Sequence, residues 1–301
     1  MGRKLRYLPD DTYLVEITCR VIQRRFLLRP SPQLNATVLG ALARFQKRHG
    51  MRICGFVYLS NHCHLLLRPR SAKQLAAFMR DVNSKIAREA GRLHGWREKL
   101  WSRRYTDIVV SHEPEAQVGR LRYLLEQGCK EHLVSSPRHW PGATSTRALH
   151  SGEMLEGIWI DRTEQYLAGE RGEPNADAHF TSTHRLELSP LPCWDGLSPH
   201  ACQARVRAMV REIEARMEGV EVLGRKTICE QDPHEQPTSI PRRTPAPRFH
   251  AVAPGVRRAL EIAYHLVRIA YRQAFEDWSS GKSADFPVGC FAPGRFVPLR
   301  C

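Results

Sequence analysis

An apolar run between Val57 and Leu67 is interrupted by two histidines, His62 and His64, that stand one residue apart. Alternate side chains of a β-strand point to the same face, so both imidazoles are expected on one face and Cys63 on the other. Two imidazoles so placed can bind one cation, such as Zn, Mn, Cu, Fe or Ni, and leave positions for a substrate oxygen. A pair of hydrogen-bonded core histidines fits the same pattern equally well.

Charge is divided unevenly along the chain. Residues 1–150 hold 27 Lys and Arg against 11 Asp and Glu, a net charge of +16, whereas residues 151–301 hold 19 against 20. Lys and Arg in such excess bind phosphate groups strongly and in a salt-sensitive way. Charge that served only solubility would be spread over both halves. We therefore predict that the first half binds a nucleic acid.

Length and composition narrow the class of protein. The length of 301 residues suits two domains. No stretch reaches the roughly 18 apolar residues of a membrane span, and the N-terminus lacks the hydrophobic segment of a signal peptide. Nine cysteines, an odd number without a Cys-x-x-Cys pair, favour reduced thiols over a disulfide framework. We expect a cytoplasmic, nucleoid-associated protein without a membrane partner.

Apolar periodicity predicts the fold of the first half. Strands are expected near residues 12–22 and 51–59, through the two-histidine segment, and near 101–110. Helices are expected near 34–50, 71–91 and 113–133. The order strand, helix, strand, strand, helix, strand, helix favours an α+β class. It predicts a ferredoxin-like antiparallel sheet with its helices on one face.

The third helix carries two residues with possible chemistry. Tyr123 and Gln127 are four residues apart, so they lie one above the other on a single helix face. A tyrosine can act as a covalent nucleophile where a base or metal handles its proton. Taken alone, Tyr123 is better explained as a packing residue.

Four motifs together resemble a known family. They are the two-histidine strand, the basic helix after it, the segment Leu100–Tyr105, and the helix segment Arg122–Gln127. Their order and spacing resemble the HUH-type single-tyrosine transposases. The segment Leu133–Ser145 resembles the tail that follows the tyrosine helix in the branch associated with repetitive extragenic palindromes (REP). The resemblance spans about residues 13–145.

The resemblance implies a metal-dependent nuclease and strand transferase that acts on single-stranded, hairpin-containing DNA. Tyr123 matches the nucleophile that forms a 5′-phosphotyrosine intermediate. His62 and His64 match the metal-binding histidines, and Gln127 matches a further metal ligand or positioning group. The implied cofactor is a divalent metal ion, Mg²⁺ or Mn²⁺. Relatives include monomers and obligate dimers, so a homodimer is one of the implied assemblies.

Two positions depart from the family pattern. Cys63 stands where an aliphatic residue is usual, and we expect it to pack as a small core residue. Gln127-Gly128-Cys129 stands where the REP-associated branch commonly has Asn-Pro-Val. This second departure bears on the placement in the branch more than on the catalytic interpretation.

The basic residues predicted to bind nucleic acid lie after the first strand, on the second helix and before the fourth strand: Arg20, Arg24, Arg25, Arg80, Lys85, Arg103 and Arg104. Residues 1–150 are predicted to form the catalytic domain. Residues 151–190 are predicted to be a linker that docks a short element. Residues 191–301 are predicted to form a mainly helical accessory domain of unassigned role.

Two functions remain open on these grounds. One is the transposase-type enzyme. The other is a domesticated, non-cleaving DNA- or RNA-binding protein on the same fold. The presence of His62, His64, Tyr123 and Gln127 together favours the enzyme, because a protein that only binds nucleic acid does not need all four.

Overall fold

The computed structural model describes residues 5–237 and 246–293. The strands in chain order are β1 (Leu14–Arg20), β2 (Arg52–Tyr58), β3 (His62–Arg68), β4 (Thr106–Val110), β5 (Leu155–Ile160), β6 (Thr181–Leu186) and β7 (Phe249–His250). The helices are α1 (Pro32–His49), α2 (Ala72–His94), α3 (Pro114–Leu125), α4 (Gln127–Lys130), α5 (Thr146–Ser151), α6 (Arg162–Glu170), α7 (Pro199–Arg216), α8 (Arg225–Glu230) and α9 (Pro254–Ser279).

Five strands form the central sheet in the order β2-β3-β1-β4-β7. Strand β1 lies between β3 and β4 and is antiparallel to both, with Thr18 opposite His64 and Arg20 opposite His62. The short strand β7 is added to β4 in the parallel direction. The first four strands and their helices follow the ferredoxin-like order. The predicted α+β class, with an antiparallel sheet and a helical C-terminal region, is confirmed.

Helices cover both faces of this sheet, whereas the sequence pattern predicted them on one face. Leu65 and Leu67 of β3 pack beneath α1 and α2, and Leu66 between them packs beneath α3. The prediction was wrong in this respect because several strands also place apolar side chains on the second face, among them Leu14 of β1, Leu66 of β3 and Val110 of β4. A sheet that is apolar on both faces has to be covered on both.

Helix ends follow the capping residues. The hydroxyl groups of Ser31 and Ser71 cap the N-termini of α1 and α2. Helix α1 ends at Gly50, which has a positive φ of 61°. Helix α2 continues through Gly91, where the sequence suggested an end, and stops at Gly95 with a φ of 64°.

Residues 151–190, expected as a linker, contain the antiparallel pair β5 and β6 and the helix α6. Strand β5 lies directly on α1. A Cβ atom on Gly40 would stand 1.9 Å from the carbonyl oxygen of Ile158, and one on Gly157 would stand 2.0 Å from the amide nitrogen of Gly40. The two backbones therefore touch where only glycine leaves room.

Helix α7 packs over α3 on the second face of the sheet. Apolar side chains of both helices form one buried cluster, which includes Leu121 and Leu124 of α3 and Val206, Val210 and Ile213 of α7. Arg122 pairs with Glu212, and Arg216 pairs with Glu126 at 3.1 Å. The C-terminal half of the chain thus covers the outer side of the helix that carries Tyr123.

The last described helix, α9, packs on the β7 edge through Leu260 and Tyr264. Its other face leaves apolar side chains exposed, among them Leu266 at 60%. Within residues 5–237 and 246–293, no helix has both the length and the apolar character needed to cross a membrane.

Candidate active site

Strand β3 presents His62 and His64 on the face of the sheet that α3 covers. Their ring centroids are 5.2 Å apart, and the ring planes are close to perpendicular at 81°. Cys63 lies on the opposite face, fully buried in the cluster beneath α1 and α2. Strand alternation predicted this arrangement from the sequence.

The imidazole of His64 is held from the neighbouring strand. Its Nδ1 lies 3.0 Å from Oε1 of Glu16 and 3.3 Å from the hydroxyl oxygen of Thr18. Glu16 is only 2% exposed and also forms an ion pair with Arg120. Burial acts to raise the pKa of Glu16, but the hydrogen bond to His64 and the charge of Arg120 hold that pKa below its ordinary value.

A carboxylate on one imidazole nitrogen leaves the other nitrogen available as a ligand. In metal sites such carboxylate contacts orient the histidine ring and increase its basicity. Since Glu16 and Thr18 occupy the Nδ1 side of His64, Nε2 is the nitrogen that remains for a cation.

The second histidine is kept neutral. Burial, then the neighbouring His64 and the charge of Arg20, lower the pKa of His62 to about 3. Its Nδ1 lies 2.6 Å from Oδ1 of Asn61, and a side-chain hydrogen bond joins it to Gln127. A neutral imidazole is the form that binds metal ions.

Gln127 is almost fully buried directly after the break between α3 and α4. It is 2% exposed, and its Nε2 donates a hydrogen bond of 2.8 Å to the backbone carbonyl of Tyr123. The side chain of Gln127 also forms a hydrogen bond with His62. Gln127 is therefore fixed between the tyrosine helix and the histidine strand.

Tyr123 lies above His64, with ring centroids 5.5 Å apart and ring planes at 83°. Two cations flank the phenol ring: the guanidinium carbon of Arg120 is 4.3 Å from its centroid, and Nζ of Lys130 is 4.8 Å from it. Tyr123 is partly exposed. The four residues predicted from sequence, His62, His64, Tyr123 and Gln127, thus come together on one face of the sheet.

The donor types at this site are ones that a divalent cation accepts, with coordination positions left open. Two imidazoles and one amide oxygen are an acceptable partial set, and Glu16 stands behind His64 as an orienting carboxylate. Within the described part of the chain, no three His, Cys, Asp or Glu side chains come together to form a metal-binding group. A cation here would rely on His62, His64, Gln127 and its own solvent or substrate ligands.

Most of the predicted nucleic-acid-binding residues lie around one end of β1. Arg20 and Arg24 are near enough to His62 to lower its pKa. Arg103 shares a surface depression with these two arginines, and Arg80 and Arg104 line an adjoining cavity. Arg25 stacks on Trp96, with its guanidinium carbon 5.2 Å from the ring centroid.

Lys85 is placed differently. It is 3% exposed, and its Nζ donates hydrogen bonds to Glu89 at 2.9 Å and to the carbonyl of Ile160 at 2.7 Å. It also lies 4.2 Å from the ring of Trp159. Lys85 therefore joins α2 to β5, apart from the basic residues at the end of β1.

Three residues around the site were not predicted from the sequence: Glu16, Arg120 and Lys130. Signals for them exist in the sequence. Positions 120, 123, 127 and 130 recur at helical spacing, so the two cations share the face of Tyr123 and Gln127. Glu16 is an acidic residue in an otherwise apolar strand, although its partner His64 is 48 positions away and cannot be read from β1 alone.

Residues 12–127 match the family model described as "Transposase IS200 like". None of the curated proteins matches the chain. A solved REP-associated tyrosine transposase bound to a REP hairpin is 16% identical, with a TM-score of 0.42 over 50% of this chain and 87% of that chain. A putative transposase from Deinococcus radiodurans R1 is 16% identical, with a TM-score of 0.29 over 40% of this chain and 95% of that chain.

Proposed function

We propose that this protein, whose residues 12–127 match the IS200-like transposase family model, cleaves and rejoins single-stranded DNA through a covalent 5′-phosphotyrosine at Tyr123. The observation that carries this proposal is the position of the Tyr123 ring, 5.5 Å from His64 and between the cations of Arg120 and Lys130. A phenol that served only packing would not need two cations and two histidines around it.

In the proposed reaction, Oη of Tyr123 forms a bond to the scissile phosphorus while the bond from phosphorus to the 3′ oxygen breaks. The phenol loses one proton and the released 3′ oxygen gains one, so charge and atoms balance. A later attack by a 3′-hydroxyl on the phosphotyrosine reverses these changes and joins two strands. The bond energy is kept in the covalent link, so no ATP is required.

Arg120 and Lys130 have two tasks in this scheme. They attract the phosphate to the tyrosine, and they stabilise negative charge on the phenol oxygen and on the phosphate as the bond forms. Arg120 is also paired with Glu16, which fixes its position relative to His64. This ion pair therefore holds Arg120, the cation beside the Tyr123 ring, close to the histidine strand.

His62, His64 and Gln127 would hold the divalent cation, Mg²⁺ or Mn²⁺. Such a cation, when bound, polarises the phosphate and offsets its developing charge. The protein's own contribution is to keep His62 neutral by burial and to orient His64 through Glu16. Both effects prepare the ligands before DNA arrives.

The proposed substrate is single-stranded DNA next to a hairpin. A hairpin is proposed because the sequence resembles the REP-associated branch. A single strand is proposed because Tyr123 has to reach a phosphate. Arg20, Arg24 and Arg103 provide a basic surface at the end of β1, beside His62. Tyr123 and His64 meet within one chain, so the proposed site does not require a homodimer.

The experiment uses a labelled hairpin oligonucleotide with a single-stranded flank, taken from DNA that borders the gene, together with Mn²⁺ or Mg²⁺. We expect a protein–DNA adduct that survives denaturation. Tyr123→Phe should abolish the adduct, because phenylalanine cannot form the phosphate ester. Tyr166→Phe is the matched control, since Tyr166 is 65% exposed and distant in sequence, and it should form the adduct like the wild type.

A second variant separates cleavage from binding. His62→Ala should abolish the adduct while largely preserving DNA affinity, because phosphate contacts carry most of that affinity. An absent adduct on every flanking sequence, with DNA binding intact, would support the non-cleaving DNA- or RNA-binding alternative. An adduct that persists in Tyr123→Phe would contradict the role of Tyr123.

A further inference from the structure

A second basic cavity lies on the other side of the sheet, between helix α2 and the segment that leads into β4. It has a volume of about 460 Å³ and is lined by Asn83 of α2 and by the aromatic residues Trp101 and Tyr105. The basic side chains that line it are Arg6, Arg80, Lys99, Arg103 and Arg104. Among the described residues, no Asp or Glu lines this cavity.

Arg6 is the buried member of this set. It is 6% exposed, and neither its Nε nor its Nη2 has a hydrogen-bond partner. Its guanidinium carbon lies 4.0 Å from the ring centroid of Tyr105. The hydroxyl group of Tyr105, a residue that is 8% exposed, has no hydrogen-bond partner either. Two buried residues with unpaired donors therefore line one cavity.

Asp107 does not satisfy these donors. The distance from Nε of Arg6 to Oδ1 of Asp107 is 3.9 Å, which is too long for a hydrogen bond. The other oxygen of Asp107 lies 3.9 Å from Nη1 of Arg248, so two arginines share one carboxylate. Burial lowers the pKa of Arg6, as expected for a cation without a full partner. An anion in the cavity would satisfy both donors and offset this cost.

The cavity continues toward the catalytic face. Ser102 and Arg103 line both this cavity and the depression that contains Arg20 and Arg24. The amide of Ser102 donates to the carbonyl of Arg20 at 2.9 Å, and Arg20 is opposite His62 in the sheet. Adjacent strands are about 4.8 Å apart, so the step from His62 to Ser102 is about 10 Å. A continuous basic path thus leads around this end of the sheet.

We propose that this cavity binds a backbone phosphate of the same DNA strand that Tyr123 cleaves, at a linkage several ångströms from the scissile one. The inference rests on the proposed function for the identity of the anion. Arg6 and Tyr105 donate to the phosphate from inside the cavity, and Lys99 and Arg104 attract the strand at the rim. Trp101 provides an aromatic wall for an adjacent base.

The test replaces single phosphates. In the Tyr123→Phe background, where no strand is cut, a hairpin oligonucleotide carries one neutral methylphosphonate at successive linkages, and affinity is measured by fluorescence anisotropy. We expect a methylphosphonate at one particular linkage, other than the scissile one, to lower the affinity about 10- to 100-fold. The reason is that a charge-assisted hydrogen bond to a buried donor is lost. Adding Arg6→Gln should lower the affinity for unmodified DNA by a similar factor. In that variant, a methylphosphonate at the same linkage should cause no further loss.

Tyr105→Phe provides a variant that is expected to fold. It removes only a buried hydroxyl without a partner, so a purely structural role predicts equal or greater stability and unchanged DNA binding. The proposal predicts a several-fold loss of affinity confined to the same linkage. Arg97→Gln is the matched control, because Arg97 is exposed and lies outside the cavity. It should change affinity evenly at all linkages.

Other outcomes overturn the proposal. An unchanged linkage profile in both Arg6→Gln and Tyr105→Phe would do so. If inorganic phosphate raises the melting temperature of the wild type and not of Arg6→Gln, while no linkage depends on Arg6, the cavity holds a free anion and the DNA assignment fails. Because binding is measured without cleavage, a missing tyrosine adduct contradicts the proposed function and leaves the linkage result interpretable.

Discussion

Nδ1 of His64 lies 3.0 Å from Oε1 of Glu16, on the strand next to it, and Glu16 in turn pairs with Arg120 beside Tyr123. One buried carboxylate therefore links the histidine strand to the tyrosine helix. It orients a proposed metal ligand and a proposed phosphate-binding cation at the same time.

The first prediction concerns this carboxylate. Glu16→Gln should lower the affinity for Mn²⁺ by about 10- to 100-fold, because an orienting group behind a histidine ligand is lost. Isothermal titration calorimetry on the folded variant measures the change. Glu115→Gln is the control, since Glu115 is exposed on the same helix as Tyr123, and unchanged affinity is expected. Equal metal binding by wild type and Glu16→Gln would show that Glu16 has no supporting role.

The second prediction concerns the cover over the tyrosine helix. Ile213 of α7 is 2% exposed and packs in the cluster with Leu121 and Leu124. Ile213→Ala should lower the free energy of unfolding by about 2–5 kcal/mol. Ile262→Ala, at a position that is 53% exposed, should change it by less than about 0.5 kcal/mol. Urea denaturation measures the free energy of unfolding of both variants. Equal losses in the two would show that α7 is not part of the core.

The third prediction tests the contact between α1 and β5. Gly40→Ala would place a methyl group 1.9 Å from the carbonyl oxygen of Ile158, so we expect a loss of stability of at least about 2 kcal/mol. Gly119→Ala is the matched helix substitution, with no atom within 4 Å of the added Cβ. It should stabilise by about 0.5–1 kcal/mol. Thermal unfolding of the two variants measures the direction of each change in stability. An unchanged stability in Gly40→Ala would mean that β5 does not pack on α1.

The fourth prediction concerns pH. Burial, and then the charges of Arg29 and His234, lower the pKa of His94 to about 4. An unfolded chain protonates this histidine near pH 6.5. It therefore binds more protons than the folded chain between about pH 6.5 and 4, and the free energy of unfolding falls as the pH decreases through that window.

Denaturant titrations at pH 7.5 and pH 4.5 test this expectation. The wild type should lose more stability between these two values than His94→Gln, by on the order of 2 kcal/mol after allowance for solvent screening. His179→Gln, at an exposed position, should behave like the wild type. Identical pH dependence in the wild type and His94→Gln would show that His94 is not kept neutral in the folded protein.

Local patterns were enough to predict the histidine strand and the tyrosine helix. His62 and His64 share a face because a strand alternates, and Tyr123 and Gln127 share a face because a helix repeats every 3.6 residues. The hairpin of β2 and β3, with its turn at Ser60 and Asn61, also follows from local signals. These features depend on residues that are close together in the sequence.

The remaining features depend on contacts between distant segments. Glu16 became part of the site through its pairing with His64, 48 positions away. Lys85 was read as a DNA-binding cation because its helix position is visible in the sequence, while its acceptor, the carbonyl of Ile160, is 75 positions away. Strand β7 has two residues, too few for a periodic signal, and exists because β4 offers it an edge.

The most direct test of the central claim is to map the nucleotide on the covalent adduct. Trypsin cleaves after Arg122 and after Lys130, which isolates a peptide of residues 123–130 with Tyr123 as its only tyrosine. Nuclease-trimmed adduct, digested and analysed by tandem mass spectrometry, should carry a nucleotide phosphate on the Tyr123 oxygen of this peptide. A nucleotide on a peptide that contains Tyr105, Tyr166 or any other tyrosine would contradict the account.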